Sequence, residues 1–189
     1  MRGRLSFRPN HRLRIAVWLL SLLFAPALSH NAAARADTDG GRREDQFKAA
    51  YLYNFMKFVE WPVSTASSTL TVCFRGADGV LDALNAGIES KRIGTHGVVA
   101  RRLGSDASLE GCNVLYIDST AAAEHPPEMP ALLTVSDAAS FADAGGMIEL
   151  FTQEQRLRFL INVQSAQHAG LRISSDLLKL AAGVTRDVQ

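Results

Sequence analysis

The run Leu70-Thr-Val-Cys-Phe74, echoed by VLYI at 114–117 and LLTV at 132–135, decides the fold class of this chain. Each is a short, almost uninterrupted apolar stretch, the pattern of a strand covered on both faces in a parallel sheet. Between the first two lie a helix-compatible segment, Asp78 to Ala86, and a weaker strand, His96 to Arg101; a second helix-compatible region, Ser119 to Glu124, follows VLYI. Strands alternating with helices predict an α/β domain built as a three-layer sandwich around a mainly parallel sheet.

After Gly145-Gly146 the pattern changes. Met147 to Phe151 and Arg156 to Ile161 are β-rich runs separated by Thr152 to Gln155, so the sheet is expected to end in an antiparallel hairpin with a four-residue loop. The glycine pair reads as a tight turn ahead of a strand. A short helix from Val163 to Ala169 should stop at Gly170. Ser174 or Ser175 should then cap a last helix whose Leu177, Leu178, Leu180 and Ala181 seal the core.

Ahead of the first strand, FKAAYLYNFMKFVEWP (47–62) reads as an aromatic helix stopped at Trp61-Pro62. Phe47, Tyr51, Phe55 and Phe58 recur at spacings of three and four, which predicts one buried stripe. Asn54 falls inside that stripe and would need hydrogen-bond partners there.

Residues 1–36 read as a secretory signal peptide, with the domain proper at 37–189. Arg2, Arg4, Arg8, Arg12 and Arg14 come first, an apolar run from Ile15 to Ala25 follows, and Ala34-Arg35-Ala36 offers a small-residue cleavage site. The apolar run is short for a membrane span and is interrupted by Pro26. Without residues 1–36 the 20 basic residues fall to 14 against 19 acidic ones, a net charge of −5. That balance leaves no basic footprint for nucleic acid. The expected location is the periplasm.

Export sends Cys73 and Cys112 to an oxidising compartment, where two thiols are expected to pair as a structural disulfide. If the first strands take the order 2-1-3, the strands carrying the two cysteines are neighbours. Little else suggests chemistry. Nucleophile-elbow, phosphate-loop, dinucleotide and HExxH patterns are absent, and His96, His125 and His168 lack metal-ligand spacing, so neither catalytic residues, a metal nor a cofactor is expected. Asp118 and Asp137 stand at strand ends where α/β enzymes keep acids, and equally read as helix N-caps.

Three separated blocks, KAAYLYNFMKFVEWP (48–62), LLTVSDAASFADAGGMIEL (132–150) and RFLINVQSAQHAGLRISSDLLKLA (158–181), together resemble the YfiR family of small secreted bacterial proteins. The two cysteines stand where members carry a disulfide. Two departures are visible: Leu160 occupies the acidic position of the usual R-F-E-I-N block, and a second cysteine pair found near the hairpin in some members is missing. The resemblance implies a non-enzymatic periplasmic repressor that binds the periplasmic segment of an inner-membrane diguanylate cyclase, lowering cyclic di-GMP and biofilm formation. It also implies release by an outer-membrane lipoprotein; a homodimer is a further expected partner. The alternative is a periplasmic small-molecule sensor, in which Lys57 and Arg172 form an anion site beside the Ser174-Ser175 helix start. Solvated surface charges are the more ordinary reading of both.

Overall fold

The computed structural model describes residues 30–62, 68–104, 106–121 and 125–185. The signal-peptide reading of residues 1–36 therefore lies almost wholly outside the described residues. Two compact units are distinguished, Met1–Gly41 and Arg42–Gln189, and the sheet belongs entirely to the second. Helix α1 runs His30–Phe58, and the two-residue strand β1, Val59–Glu60, follows ahead of Trp61-Pro62.

The main sheet begins with β2 (Thr69–Arg75), which leads through α2 (Asp78–Ile88) and the short β3 (Arg92–Ile93) to β4 (His96–Arg102). It continues with β5 (Val114–Ile117), β6 (Leu133–Ser136) and the hairpin β7 (Ile148–Gln153) and β8 (Arg156–Asn162). After α3 (Val163–His168), β9 (Arg172–Ile173) and α4 (Ser175–Leu180) comes β10 (Gly183–Thr185). The spatial order is β10-β8-β7-β6-β5-β2-β4-β3, so the first three long strands do lie 2-1-3. Neighbours run parallel except in the β7/β8 hairpin and the β3/β4 pair. A separate two-stranded sheet pairs β1 with β9.

Every residue of β5 and β6 is buried, as their continuous apolar runs require. On one face of the sheet, α1 and α2 pack Leu52, Phe55, Met56, Leu81 and Leu84 over Phe74, Tyr116, Leu133 and Ile161. On the other face Cys73, Leu115, Ile117 and Leu132 are covered by loops carrying Leu103, Leu109 and Phe141, which form the third layer. Cys73 and Cys112 are bonded there, with Cα atoms 5.8 Å apart.

Five expectations change, the last of them at the hairpin loop. The buried stripe of α1 runs through Ala49, Leu52, Phe55 and Met56 and continues to Val59 of β1, about one residue out of the expected phase, which leaves Phe47 61% exposed and Asn54 exposed. Tyr51 and Phe58 flank the stripe, and Asn54 meets only its neighbour, accepting a bond from Lys57 Nζ at 3.4 Å. Ser119 to Ala121 form a turn rather than a helix start, since the carboxylate of Asp118 folds back onto Thr120; residues 122–124 lie outside the described residues. Ser174 caps α4 by accepting from Leu177 N–H, and Leu177 is buried, yet Leu180 is 64% exposed and packs nothing into the core. The chain also turns back after α4 to lay β10 parallel to β8, so the hairpin is not the end of the sheet.

The hairpin loop is shorter than expected. Gln153 pairs with Arg156, leaving Glu154 and Gln155 at positive φ, 50° and 59°. Two such residues make a type I′ turn, whose twist suits a hairpin but which favours Asn-Gly. L-residues with a Cβ pay for the left-handed conformation. Replacing Glu154→Asn together with Gln155→Gly should therefore raise stability by about 1 kcal/mol, part of the gain being offset by the freer unfolded chain. The urea midpoint reports it; an unmoved or lowered midpoint would mean the turn carries no strain.

Candidate functional site

Strands β5 and β6 are parallel and in register, Ile117 beside Ser136, so the residues that follow them, Asp118 and Asp137, emerge side by side at one end of the sheet. Each carboxylate shapes a turn. Asp137 Oδ1 accepts from Ser119 N–H at 2.8 Å, and Asp118 Oδ1 accepts from Thr120 N–H at 2.8 Å. Ser136 Oγ ties the two ends together, donating to the Ile117 carbonyl at 2.7 Å and accepting from Ala138 N–H at 3.0 Å.

From the β2 side, Gly76 turns at φ 72°, and a Cβ there would come within 2.8 Å of Asp118 Cβ. Only a glycine lets the β2–α2 turn lie this close to Asp118. Helix α1 closes the remaining side. Lys48 Nζ donates to Asp137 Oδ2 at 2.6 Å and to Glu44 Oε1 at 2.8 Å, with the Lys48 and Asp137 side chains only 12% and 15% exposed. Asp45, one turn before Ala49 on the buried stripe, rests on Gly79, where a Cβ would strike its carboxylate.

The carboxylates of Glu44 and Asp137 thus hold the ammonium of Lys48, and Asp45 lies close enough to feel its charge. Desolvation pushes the Asp45 carboxyl above its usual range; Lys48 opposes this, while Glu44, Asp137 and Asp118 add to it. Burial works against the Lys48 charge, but the bonds to Asp137 and Glu44 outweigh it and hold the ammonium more basic than usual. Beneath them Tyr116 is fully buried on β5, its hydroxyl directed at Asp137. Burial first, and then Asp137, push that phenol strongly upward. Among the described residues no group of three or more His, Cys, Asp or Glu could hold a metal.

The two cations of the sensor reading each have another contact. Lys57 lies 4.5 Å over the Tyr53 ring and lines a groove of about 430 Å³ between α1 and α2, with Lys91 beyond it. Arg172 is absent from that lining and is ion-paired with Glu60 at 3.1 Å across the β1/β9 ladder. Sequence reasoning missed Asp45, Lys48 and Tyr116. A stripe phased on Ala49, Leu52 and Met56 would have put Asp45 and Lys48 on the buried face.

The blocks that carry the family resemblance have a structural role. Glu149 Oε2 accepts from Ala142 N–H at 3.1 Å, Thr134 Oγ1 accepts from Met147 N–H at 3.1 Å, and Asn162 Nδ2 donates to the Ala142 carbonyl at 3.0 Å. Asn162 Oδ1 also caps α3 through Ser165 N–H at 3.0 Å. Together they pin the 138–147 loop, with Gly146 lying under the Phe141 ring where a Cβ could not fit. Leu160, at the family's acidic position, lies opposite Glu149 in the hairpin and packs on Gly183 of β10, where a Cβ would approach it to 3.0 Å.

A sequence model described as YfiR/HmsC-like matches residues 45–182. No curated protein matches the chain. Among solved structures, a conserved domain protein from Vibrio cholerae O1 biovar El Tor str. N16961 is similar, with 12% identity and a TM-score of 0.46. The alignment covers 75% of this chain and 60% of that one, so the chain spans less than two thirds of the length of that protein.

Two outcomes are expected. Replacing Asn162→Leu strands a part-buried N–H and a buried carbonyl, which should destabilise the protein by about 2–3 kcal/mol in equilibrium unfolding. For Asp45, a carboxyl whose pKa is raised on folding is destabilising when charged. That penalty is fully present above the raised value and disappears below the ordinary 3.8. Asp45→Asn should therefore be more stable than wild type at neutral pH and lose its advantage as pH falls below 3.8. Thermal melts across that range check the sign.

Proposed function

The chain belongs to the YfiR/HmsC-like family, which implies a periplasmic regulator of cyclic di-GMP signalling and not a catalyst, and on that premise we propose that it represses an inner-membrane diguanylate cyclase by binding the cyclase's periplasmic segment. The match over residues 45–182 carries this reading. The exported, acidic domain read from the sequence supports it, as does a sheet pinned by a disulfide and a buried polar network. The proposed mature protein begins near Asp37, after the signal peptide. An outer-membrane lipoprotein that captures the repressor would switch the cyclase on.

Inhibition across a membrane needs no chemistry from the repressor. It requires only that the inactive conformation of the cyclase be bound more tightly than the active one. A preference of about 100-fold supplies about 2.7 kcal/mol of bias, enough to leave the cyclase mostly off if its two states are otherwise balanced. Rigidity of the binding domain matters because a surface that deformed to fit both states would lose that preference.

Deleting the gene should raise cyclic di-GMP and surface attachment, and affinity purification from membranes should recover a diguanylate cyclase. Unchanged cyclic di-GMP in a deletion strain that expresses the cyclase would overturn the repressor reading.

A further inference from the structure

The groove of about 430 Å³ between α1 and α2 is lined by two positive charges, Lys57 and Lys91, and by no negative one. Tyr53 brings the two together. From α1 its hydroxyl donates to the Arg92 carbonyl at 3.2 Å, which ties the ring to the segment just past α2. That segment turns at Ser90, φ 64°, and Lys91 N–H donates to the Ile88 carbonyl at 2.9 Å. The ammonium groups of Lys57 and Lys91 are thereby held over the same Tyr53 ring, 4.5 and 5.4 Å from its centre, at one end of the groove.

Attraction to a ring face offsets only part of the repulsion between two like charges brought this close. Neither ammonium has an ion pair among the described residues, and Lys57 makes a single long bond, to Asn54 Oδ1 at 3.4 Å. Most of their N–H donors are therefore open to a ligand. The charge pair also stands out from its setting, since residues 37–189 carry a net charge of −5. Behind it the lining turns apolar, with the buried Ala49, Leu84 and Ile88 as floor. Gly87 keeps the groove wide. Glycine is a poor helix residue, and a Cβ there would meet nothing within 4 Å, so no neighbour excludes a side chain. An apolar floor with a few convergent polar groups, in a volume within the range of small-molecule sites, is the make-up of a ligand pocket. We propose that this groove binds a small carboxylate with an aliphatic body, its two oxygens shared between Lys57 and Lys91 and its chain laid over Ala49, Leu84 and Ile88. This site stands apart from the repressor reading and involves neither a cyclase nor Arg172.

Octanoate is the probe. Titrated into the purified protein at low salt and followed by calorimetry, it should bind one-to-one. Acetate, which has only the head group, and octan-1-ol, which has only the chain, should each bind roughly tenfold more weakly or worse. Lys57→Ala and Lys91→Ala should each weaken octanoate about tenfold, as the loss of one charge-assisted bond would. Lys179→Ala, at an exposed lysine on α4, should leave the affinity unchanged. Gly87→Leu should fill the groove and abolish binding while Tm holds or rises. No octanoate binding, binding no tighter than that of acetate or octan-1-ol, binding that survives Gly87→Leu, or equal losses at Lys179 and at the two groove lysines would each overturn the proposal.

Discussion

Strand β2 is hydrogen-bonded to a parallel neighbour on each side and covered on both faces, so its seven residues have one permitted register. A slip by one residue would turn every side chain to the opposite face. Val72 and Phe74 would leave the helix-covered core, and Cys73 would turn away from Cys112. The slip would also carry Gly76 off Asp118, where no residue with a Cβ fits. The disulfide, the helix-side core and the close approach of Gly76 to Asp118 are thus consequences of the same pairing. Asn113, between Cys112 and the start of β5, reinforces it by exchanging two 2.9 Å bonds with the Thr71 backbone.

The two faces of that sheet are secured by different physics. Helix α1 is held along its second half by apolar burial, with Phe55 and Tyr51 packed edge-on against Phe159 at 5.1 and 5.8 Å, and with Trp61 Nε1 donating to the Ala131 carbonyl at 3.1 Å beyond it. The loop layer has fewer apolar anchors and relies on polar ones: Glu149, Thr134 and Asn162 each answer a backbone group of the 138–147 segment. Buried polar groups of this kind specify one loop conformation because any other leaves them unpaired.

The parallel core was legible because residues buried on both faces must be apolar throughout, and LTVCF, VLYI and LLTV are nearly so. The hairpin and a cap at Ser174 or Ser175 followed from equally local signals, whereas the 2-1-3 order was a supposition drawn from a common doubly wound arrangement. The phase of α1 was not legible in the same way. Its aromatic residues drew the stripe toward Phe47 and Phe58, whereas the sheet accepts the small Ala49 and the flexible Met56 on the line through Leu52. Glu154-Gln155 carries none of the Asn or Gly that marks a two-residue turn, so the loop looked longer than it is. β10 is three residues long and exists only because β8 offers it an edge. The Lys48–Asp137 pair was hidden for a related reason: the two residues meet across 89 positions, and only the packing of α1 brings them together.

Stability is therefore distributed unevenly along α1. From Leu52 to Val59 the helix cannot leave without exposing Leu52, Phe55 and Met56, each almost fully buried. Its earlier turns in the same unit bury little that is apolar beyond Ala49, and Phe47 points outward. What holds them is the Lys48 ion pair, opposed by the desolvated Asp45. Local opening begins where few apolar contacts must be given up. The segment Arg42 to Lys48 is consequently the part of the domain that a change of charge at the sheet's carboxyl end can move without disturbing the core. A regulatory protein built this way can keep a rigid binding domain and still respond at one end of a single helix.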